Sequence, residues 1–296
     1  MMDVSAIVVS HNNRVHLVPC LESLQTALER LWCEIWLVDN ASSDGGPEEV
    51  RNLLPWVKFI RNDRNIGFAR ANNQAIRSAT GRYILLLNPD TLLHRQSLII
   101  LVNFLKHHPK VGIVGPAVYD EENFSNIQMS ARSFPSFSTP LYHRYSPLAR
   151  LWKNNPWSRR YLQIDLDRDR PSRVDWVSAC CLMVRRDVLD GIGLLDEQFW
   201  MFAEDVDLCR RAWQGGWEVA YEPRAKVVHF IGASRGKVSA RVVVERHRSM
   251  WIYYRKHEQK NPLVSGLVLG GIALRCVIHL AMNAIRKNAG KAHGLA

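Results

Sequence analysis

The sequence predicts an α/β domain built on a mostly parallel sheet with helices on both faces. Two observations carry this. Short runs rich in Val, Ile and Leu alternate with stretches of helical periodicity through Val114. Polar clusters close three of those runs, at Ser10-His11-Asn12, Asp39-Asn40 and Asn88-Pro89-Asp90. In an open parallel sheet, ligands bind outside the carboxyl ends of the strands. With 296 residues, 47% hydrophobic and 23% charged, the chain can bury a full core, and bulk disorder is excluded.

Val4–Ser10 reads as the first strand, and Asn12-Asn13 as the loop after it. Pro19 stands near the start of a helix carrying Leu21, Leu24, Leu28 and Leu31 at helical spacing. Glu34–Val38 is the second strand; the turn cluster Ser42 to Gly46 leads to Pro47 in the first turn of a short helix. Val57–Ile60 is the third strand, Gly67–Ala79 a helix, and Tyr83–Leu87 a wholly apolar fourth strand that Pro89 ends. Ser97–His107 is the next helix and Val111–Val114 the next strand. Residues 120–172 show no periodicity and are rich in Pro, Arg and Trp, as expected of an acceptor-side region or a loop. The pattern resumes with a strand over Val174–Val184, a helix over Glu204–Ala212, a strand over Val227–Phe230 and a long basic helix over Ala240–Lys256.

The net charge of +11 is concentrated in one place. Residues 1–234 hold 27 basic and 26 acidic side chains; residues 235–296 hold 12 basic and 2 acidic. The body is neutral and gives no case for nucleic acid, and no zinc finger or recognition element supports one. In the tail, basic residues flank the apolar runs Leu263–Leu274 and Val277–Ile285. Arg275, His279 and Asn283 form a polar stripe at four-residue intervals, which favours an amphipathic helix lying in the plane of an anionic membrane over one that spans it. The organisation expected is a domain over 1–257 and a membrane-associating tail over 258–296. The six cysteines lack CxxC spacing and read as free thiols. The N-terminus reads as a strand rather than a signal peptide, so a cytoplasmic domain is expected.

Neither GxGxxG nor GxxxxGK[ST] occurs, so dinucleotide and P-loop chemistries have no support. Asp39 is either an Asx turn or a contact to a base or ribose, with Asp44 in the same loop. Asp90 is either a turn residue or a divalent-cation ligand, since Mg²⁺ and Mn²⁺ are held by few carboxylates plus phosphates. Glu204, Asp205 and Asp207 follow four bulky apolar residues; they are helix-capping acids or contain a base set against a hydrophobic wall. His229 and His11 are hydrogen-bonded structural residues or, beside a cation, ligands.

These segments together resemble the inverting family 2 glycosyltransferases with the GT-A fold. The resemblance rests on six motifs in order: VVSHNN from Val8, VDNASSDG from Val38, NIGFARANNQAI from Asn65, LLNPDT from Leu86, LLDEQFWMFAEDVDLCRRAWQGGW from Leu194 and VVHFIGASRG from Val227. It covers roughly residues 4–257 and is closest to the rhamnosyltransferase branch of bacterial surface polysaccharide synthesis. It implies that Asp39 contacts the nucleotide base, with Ser10, His11, Asn13, Asn40 and Asp44 around the donor. Arg70 is expected to face the donor diphosphate. Asp90 takes the last position of the family's DxD metal motif; Asn88 replaces the first Asp, so affinity for Mg²⁺ or Mn²⁺ is expected to be lower or shared with His229. Asp205 resembles the general base, with Glu204 beside it. The implied partners are a nucleotide-diphospho-sugar donor, dTDP-rhamnose foremost, and a polyprenyl-linked or polysaccharide acceptor. The implied location is the cytoplasmic face of the bacterial inner membrane. A UDP-hexose donor, or a glycan-binding assembly role without catalysis, are the alternatives.

Overall fold

The structure is a computed structural model that describes residues 2–29, 31–136, 152, 155–230, 239–259 and 261–292. The GASRG end of the sixth motif therefore lies outside the described residues. In chain order the first half comprises β1 (Val4–Ser10), α1 (Arg14–Leu28), β2 (Cys33–Asp39), α2 (Gly46–Leu53), β3 (Lys58–Arg61), α3 (Phe68–Ser78), β4 (Tyr83–Leu87), β5 (Thr91–Leu93), α4 (Ser97–His107) and β6 (Val111–Tyr119). The second half comprises β7 (Ala131–Arg132), α5 (Pro156–Leu162), β8 (Ser172–Arg173), β9 (Trp176–Val177), β10 (Cys181–Arg185), α6 (Arg186–Ile192), α7 (Glu204–Gln214), β11 (Glu218–His229), α8 (Ala240–Tyr253), a π-helical turn at Tyr254–Glu258 and α9 (Pro262–Ala292).

Among the described residues, nine strands form the main sheet in the order β3-β2-β1-β4-β10-β6-β11-β5, with β8 paired to β11. β1 runs parallel to β2 and β4, while β10 is antiparallel to both β4 and β6. The expected α/β class and mostly parallel sheet are thus present. Alternation along β1 sends Val4, Ala6 and Val8 to one face and Ile7 and Val9 to the other. The first face packs on Leu17, Leu21 and Leu24 of α1 and Leu98 and Leu101 of α4. The second packs on Ala75 and Ile76 of α3 and Leu208 of α7.

Four expected boundaries change, each for a physical reason. α1 begins at Arg14, well before Pro19, because the Asp44 carboxylate accepts the Arg14 N–H at 2.8 Å and caps the helix from another loop. β6 continues past Val114 through Pro116, which a central strand ordinarily rejects; β11 bulges opposite it, between Glu222 and Lys226. The expected strand over Val174–Val184 is two strands, split at Ser178–Cys180. The tail is one continuous helix rather than two runs broken at Arg275, and its Pro262–Ile285 portion is long and apolar enough to cross a membrane by length and composition.

Asp207 ties the π-helical turn that precedes this tail to the body. It is fully buried and accepts hydrogen bonds from Arg211 Nε at 2.8 Å and His257 Nε2 at 2.7 Å, with Lys256 Nζ at 2.9 Å. Burial alone would raise its pKa, but the His257 hydrogen bond, reinforced by Arg211 and Lys256, lowers it to about 2. A carboxylate depressed in the folded state contributes stability that is complete above its unfolded pKa near 4 and is lost as pH falls toward 2. Asp207→Asn is expected to lose about 2–3 kcal/mol at neutral pH. Between pH 4 and 2 its melting temperature should fall less steeply than the parent's; parallel acid limbs in a thermal-melt series would contradict this.

Candidate active site

The carboxyl ends of β1, β2, β4 and β11 bring the polar clusters to one edge of the sheet. Asp39 ends β2 with no exposed surface. Its Oδ1 accepts the Ser42 N–H at 2.8 Å, while its Oδ2 has no hydrogen-bond partner; Arg61 Nε stands 3.6 Å away, too far to bond. Ser10 Oγ, ending β1, is also buried without a partner. A buried carboxylate oxygen and hydroxyl left unmatched at a strand edge cost free energy unless a ligand meets them. Such a pair suits a base or ribose that brings its own donors and acceptors.

The surrounding residues are scaffolding. Asp44 spends both oxygens on backbone N–H groups, Arg14 at 2.8 Å and Gly46 at 3.1 Å. Asn40 spends its side chain on the loop at 62–67, accepting from Ile66 N at 3.0 Å and donating to Asn65 Oδ1 at 3.0 Å. His11 Nδ1 lies 3.0 Å from the Asn40 carbonyl, and Asn13 donates to the His11 carbonyl at 3.1 Å. Arg70 departs from expectation: it pairs with Glu197 at 3.0 Å, as Arg77 does at 2.9 Å, so its charge is already spent. Asn73 binds Glu197 and both backbone groups of Leu195. The helix α3 therefore holds the loop that leads to the acidic cluster.

Gly67 completes that hold. With φ +92° it lies where L side chains rarely go, and a Cβ there would stand 2.4 Å from the Trp200 carbonyl oxygen. That same carbonyl accepts the Phe68 N–H at 2.7 Å. Phe202 and Ala203 then take left-handed conformations, φ 70° and 66°, immediately before Glu204. Two such residues in succession mark backbone strain held by its surroundings.

Asp90 and His229 meet at the floor, Asp90 Oδ1 3.4 Å from His229 Nε2, with Asn88 Nδ2 3.5 Å from the same nitrogen. Gln128 grips the histidine from behind: its Oε1 lies 3.1 Å from Nδ1, and its amide donates to the His229 carbonyl at 2.7 Å. This arrangement places the ring proton on Nδ1 and turns the Nε2 lone pair toward Asp90. An oxygen and a nitrogen at this separation fit a shared divalent cation, whose bonds to each run about 2.0–2.2 Å. Among the described residues no group of three His, Cys, Asp or Glu side chains could hold a metal. Were a cation held there, two protein ligands would leave the remaining positions to phosphate oxygens and water, the usual economy of such sites.

Glu204 and Asp205 begin α7. The break between β9 and β10 exposes the Ala179 N–H, which donates to Asp205 Oδ2 at 3.1 Å, while Val206 N donates to Oδ1 at 2.8 Å. Burial raises both carboxyls above the usual range, Glu204 further because the Asp205 charge adds to it; the two backbone N–H groups restrain Asp205. Glu204 Oε2 is buried without a hydrogen-bond partner, and both residues line the cleft. Asp207, two residues on, faces the tail instead. A cleft of about 630 Å³ joins Asp205, Asn88 and His229 to Arg246 of α8 and Arg275 of α9.

The chain's similarity to known proteins fits this geometry. Residues 5–193 match the model of glycosyl transferase family 2. The chain belongs to that family. Over 266 residues this family 2 transferase is 32% identical to an N-acetylglucosaminyl-diphospho-decaprenol L-rhamnosyltransferase of Mycobacterium tuberculosis, spanning 86% of this chain and 84% of that protein. A GalNAc-T7 structure with UDP, GalNAc and Mn²⁺ superposes with a TM-score of 0.59 at 17% identity over 88% of this chain and 52% of that one. A mannosyltransferase of Pyrobaculum calidifontis with GDP-Man and Mn²⁺ gives 0.57 at 18% identity over 100% and 83%. These likenesses establish the GT-A fold for the family 2 transferase.

Gln128, the Ala179 N–H and Arg275's place in the cleft are the site features that sequence reasoning missed. Gln128→Ala frees the His229 ring to change tautomer and orientation. It is expected to raise the divalent-ion concentration needed for half-maximal transfer about 10–100-fold, with the fold unchanged. An unaltered Mn²⁺ titration would contradict that role.

Proposed function

We propose that the protein is an inverting rhamnosyltransferase, moving L-rhamnose from dTDP-rhamnose to a sugar carried on polyprenyl diphosphate. The observation that carries this reading is the cleft itself, which places the Asp205 carboxylate together with Asn88 and His229. The activity for which the M. tuberculosis relative is named supports the sugar and the lipid-linked acceptor.

Asp39 and Ser10 bind the donor's base and ribose, with His11, Asn13, Asn40 and Asp44 shaping the loops around them. Asp90 and His229 hold Mg²⁺ or Mn²⁺, with Asn88 beside them; the bound ion supplies charge stabilisation for the departing diphosphate. The acceptor hydroxyl oxygen attacks the anomeric carbon from the face opposite the diphosphate. The bond to the nucleoside diphosphate breaks with its electron pair, and the hydroxyl proton passes to Asp205. Glu204, keeping its own proton, leaves the neighbouring charge on Asp205. A single displacement needs one base, the role this reading gives to Asp205 among the cleft's carboxylates.

Residues 258–296 form the membrane-associating segment, and 1–257 the catalytic domain, at the cytoplasmic face of the bacterial inner membrane. The polar stripe foreseen for the tail does not face water. Arg275 lines the cleft and His279 meets the His247 ring edge-to-face, whereas Leu263, Leu267, Leu274, Val277 and Ile285 are exposed. An outward apolar face suits insertion into an interface.

The test is a transfer assay with dTDP-rhamnose, UDP-hexoses and GDP-sugars side by side, using N-acetylglucosaminyl-diphospho-polyprenol as acceptor. Transfer is expected from dTDP-rhamnose, and Asp205→Asn is expected to lose it by at least about 10²-fold while still binding donor. Preference for a UDP-hexose would replace the donor. Absence of transfer from every donor would favour the glycan-binding role, and near-normal transfer by Asp205→Asn would remove the base.

A further inference from the structure

The wall of the cleft opposite the sheet is built by the two C-terminal helices. Arg246, Ser249, Met250 and Tyr253 line it from α8, at the spacing of one helical face, and Val268, Ile272 and Arg275 do so from α9. Besides its arginine, the α8 set adds Ser249, Met250 and Tyr253, and the α9 set only the apolar Val268 and Ile272. Arg246 lies over the Phe202 ring at 4.5 Å, on the residue two before Glu204. Arg275 sits between the exposed apolar face of α9 and the cleft, and among the described residues it has no ion pair.

The neighbourhood of these arginines is basic. His247 is only 3% exposed; its Nδ1 bonds the Val243 carbonyl at 2.7 Å, and its Nε2 is buried without a partner. It meets His279 edge-to-face at 5.1 Å. Burial holds its pKa below the ordinary histidine value, and Arg275 and Arg246 depress it further. Among the described residues no cleft carboxylate forms an ion pair with Arg275: Glu258 is paired with Arg210 at 3.6 Å, and Glu204 and Asp205 lie at the start of α7. A half-buried guanidinium in the position of Arg275 is costly without a counter-charge, and it becomes favourable when an anion enters.

We infer that Arg246 and Arg275 bind the diphosphate of the lipid-linked acceptor, with the polyprenyl chain leaving past the exposed apolar face of α9. The inference rests on the proposed acceptor class and adds its recognition residues. In such an acceptor the diphosphate lies one sugar ring from the hydroxyl that reacts. A base on α7 and two planar, phosphate-matching cations on the opposite wall suit that layout. The donor diphosphate is handled separately, at Asp90 and His229. The C-terminal helices thereby become a specificity element that admits sugars on lipid diphosphate over free sugars.

The test is calorimetric binding of farnesyl diphosphate to the full chain in EDTA, where the negative Asp90 carboxylate, with no cation added, disfavours a diphosphate on the donor side. The parent protein is expected to bind farnesyl diphosphate and not farnesol. Arg275→Gln and Arg246→Gln are each expected to weaken binding by about 10-fold or more, with Arg275→Lys retaining part of it. Thermal melts identify any variant that has lost its fold, and the Lys variant then carries the comparison. Equal binding by all variants, or none by the parent, overturns the inference. Sedimentation with phosphatidylglycerol vesicles separates the other source of lipid phosphate: it should be unchanged in the Gln variants, and a loss matching that for farnesyl diphosphate would assign the arginines to bulk head groups instead. Failure of rhamnose transfer with farnesyl diphosphate binding intact would count against the proposed function while leaving this site standing.

Discussion

Asp207 is a carboxylate without access to water that binds three basic groups at once, and the shape of the cleft depends on it. It projects from α7, the helix that begins with Glu204 and Asp205. Its partners Lys256 and His257 lie in the π-helical turn after α8. Removing one member of such a cluster strands charge in the interior, so the cluster acts as a rigid joint. Through it the turn that leads into α9 is fixed relative to the start of α7, and Arg246 and Arg275 line the same cavity as Asp205. The neighbouring acids do different work because their surroundings differ: cations meet Asp207, backbone N–H groups meet Asp205, and nothing meets one oxygen of Glu204.

The cleft divides its labour between two kinds of structure. The sheet edge is built early in the chain, with buried atoms at Ser10 and Asp39 that have no hydrogen-bond partner. The opposite side comes from loops and helices far along the chain, cross-braced onto α3 through Gly67, Asn73 and Glu197. The FARANNQ segment thus earns its place through bracing: Arg70, which the family resemblance pointed toward the donor, instead steadies the loop before the acidic cluster.

Much of the fold was legible because hydrophobic periodicity is strong in the first 114 residues; Val4–Ser10, Tyr83–Leu87 and Ser97–His107 stand where the pattern puts them. The misses share a cause. Helix α1 starts early because a carboxylate 30 residues away caps it, and β6 runs through Pro116 because its neighbour bulges; neither compensation is visible locally. Asp39, Asp90, Asp205 and His229 were found through motifs, and all four lie along one edge of the sheet or face it. Gln128 sits in the segment without periodicity, and only the histidine it orients gives it meaning. The tail's polar stripe was read correctly as a stripe, but its direction depends on α8, which a helical wheel of α9 alone does not contain.

The most direct test of a single displacement promoted by one carboxylate is the stereochemistry of the product. Proton NMR of the newly formed glycosidic linkage, recorded early in a reaction with anomerically pure donor, should show the anomeric configuration opposite to that of the donor sugar. A product that keeps the donor's configuration would require a second displacement or a different mechanism, and would contradict the assignment of Asp205 as the sole base.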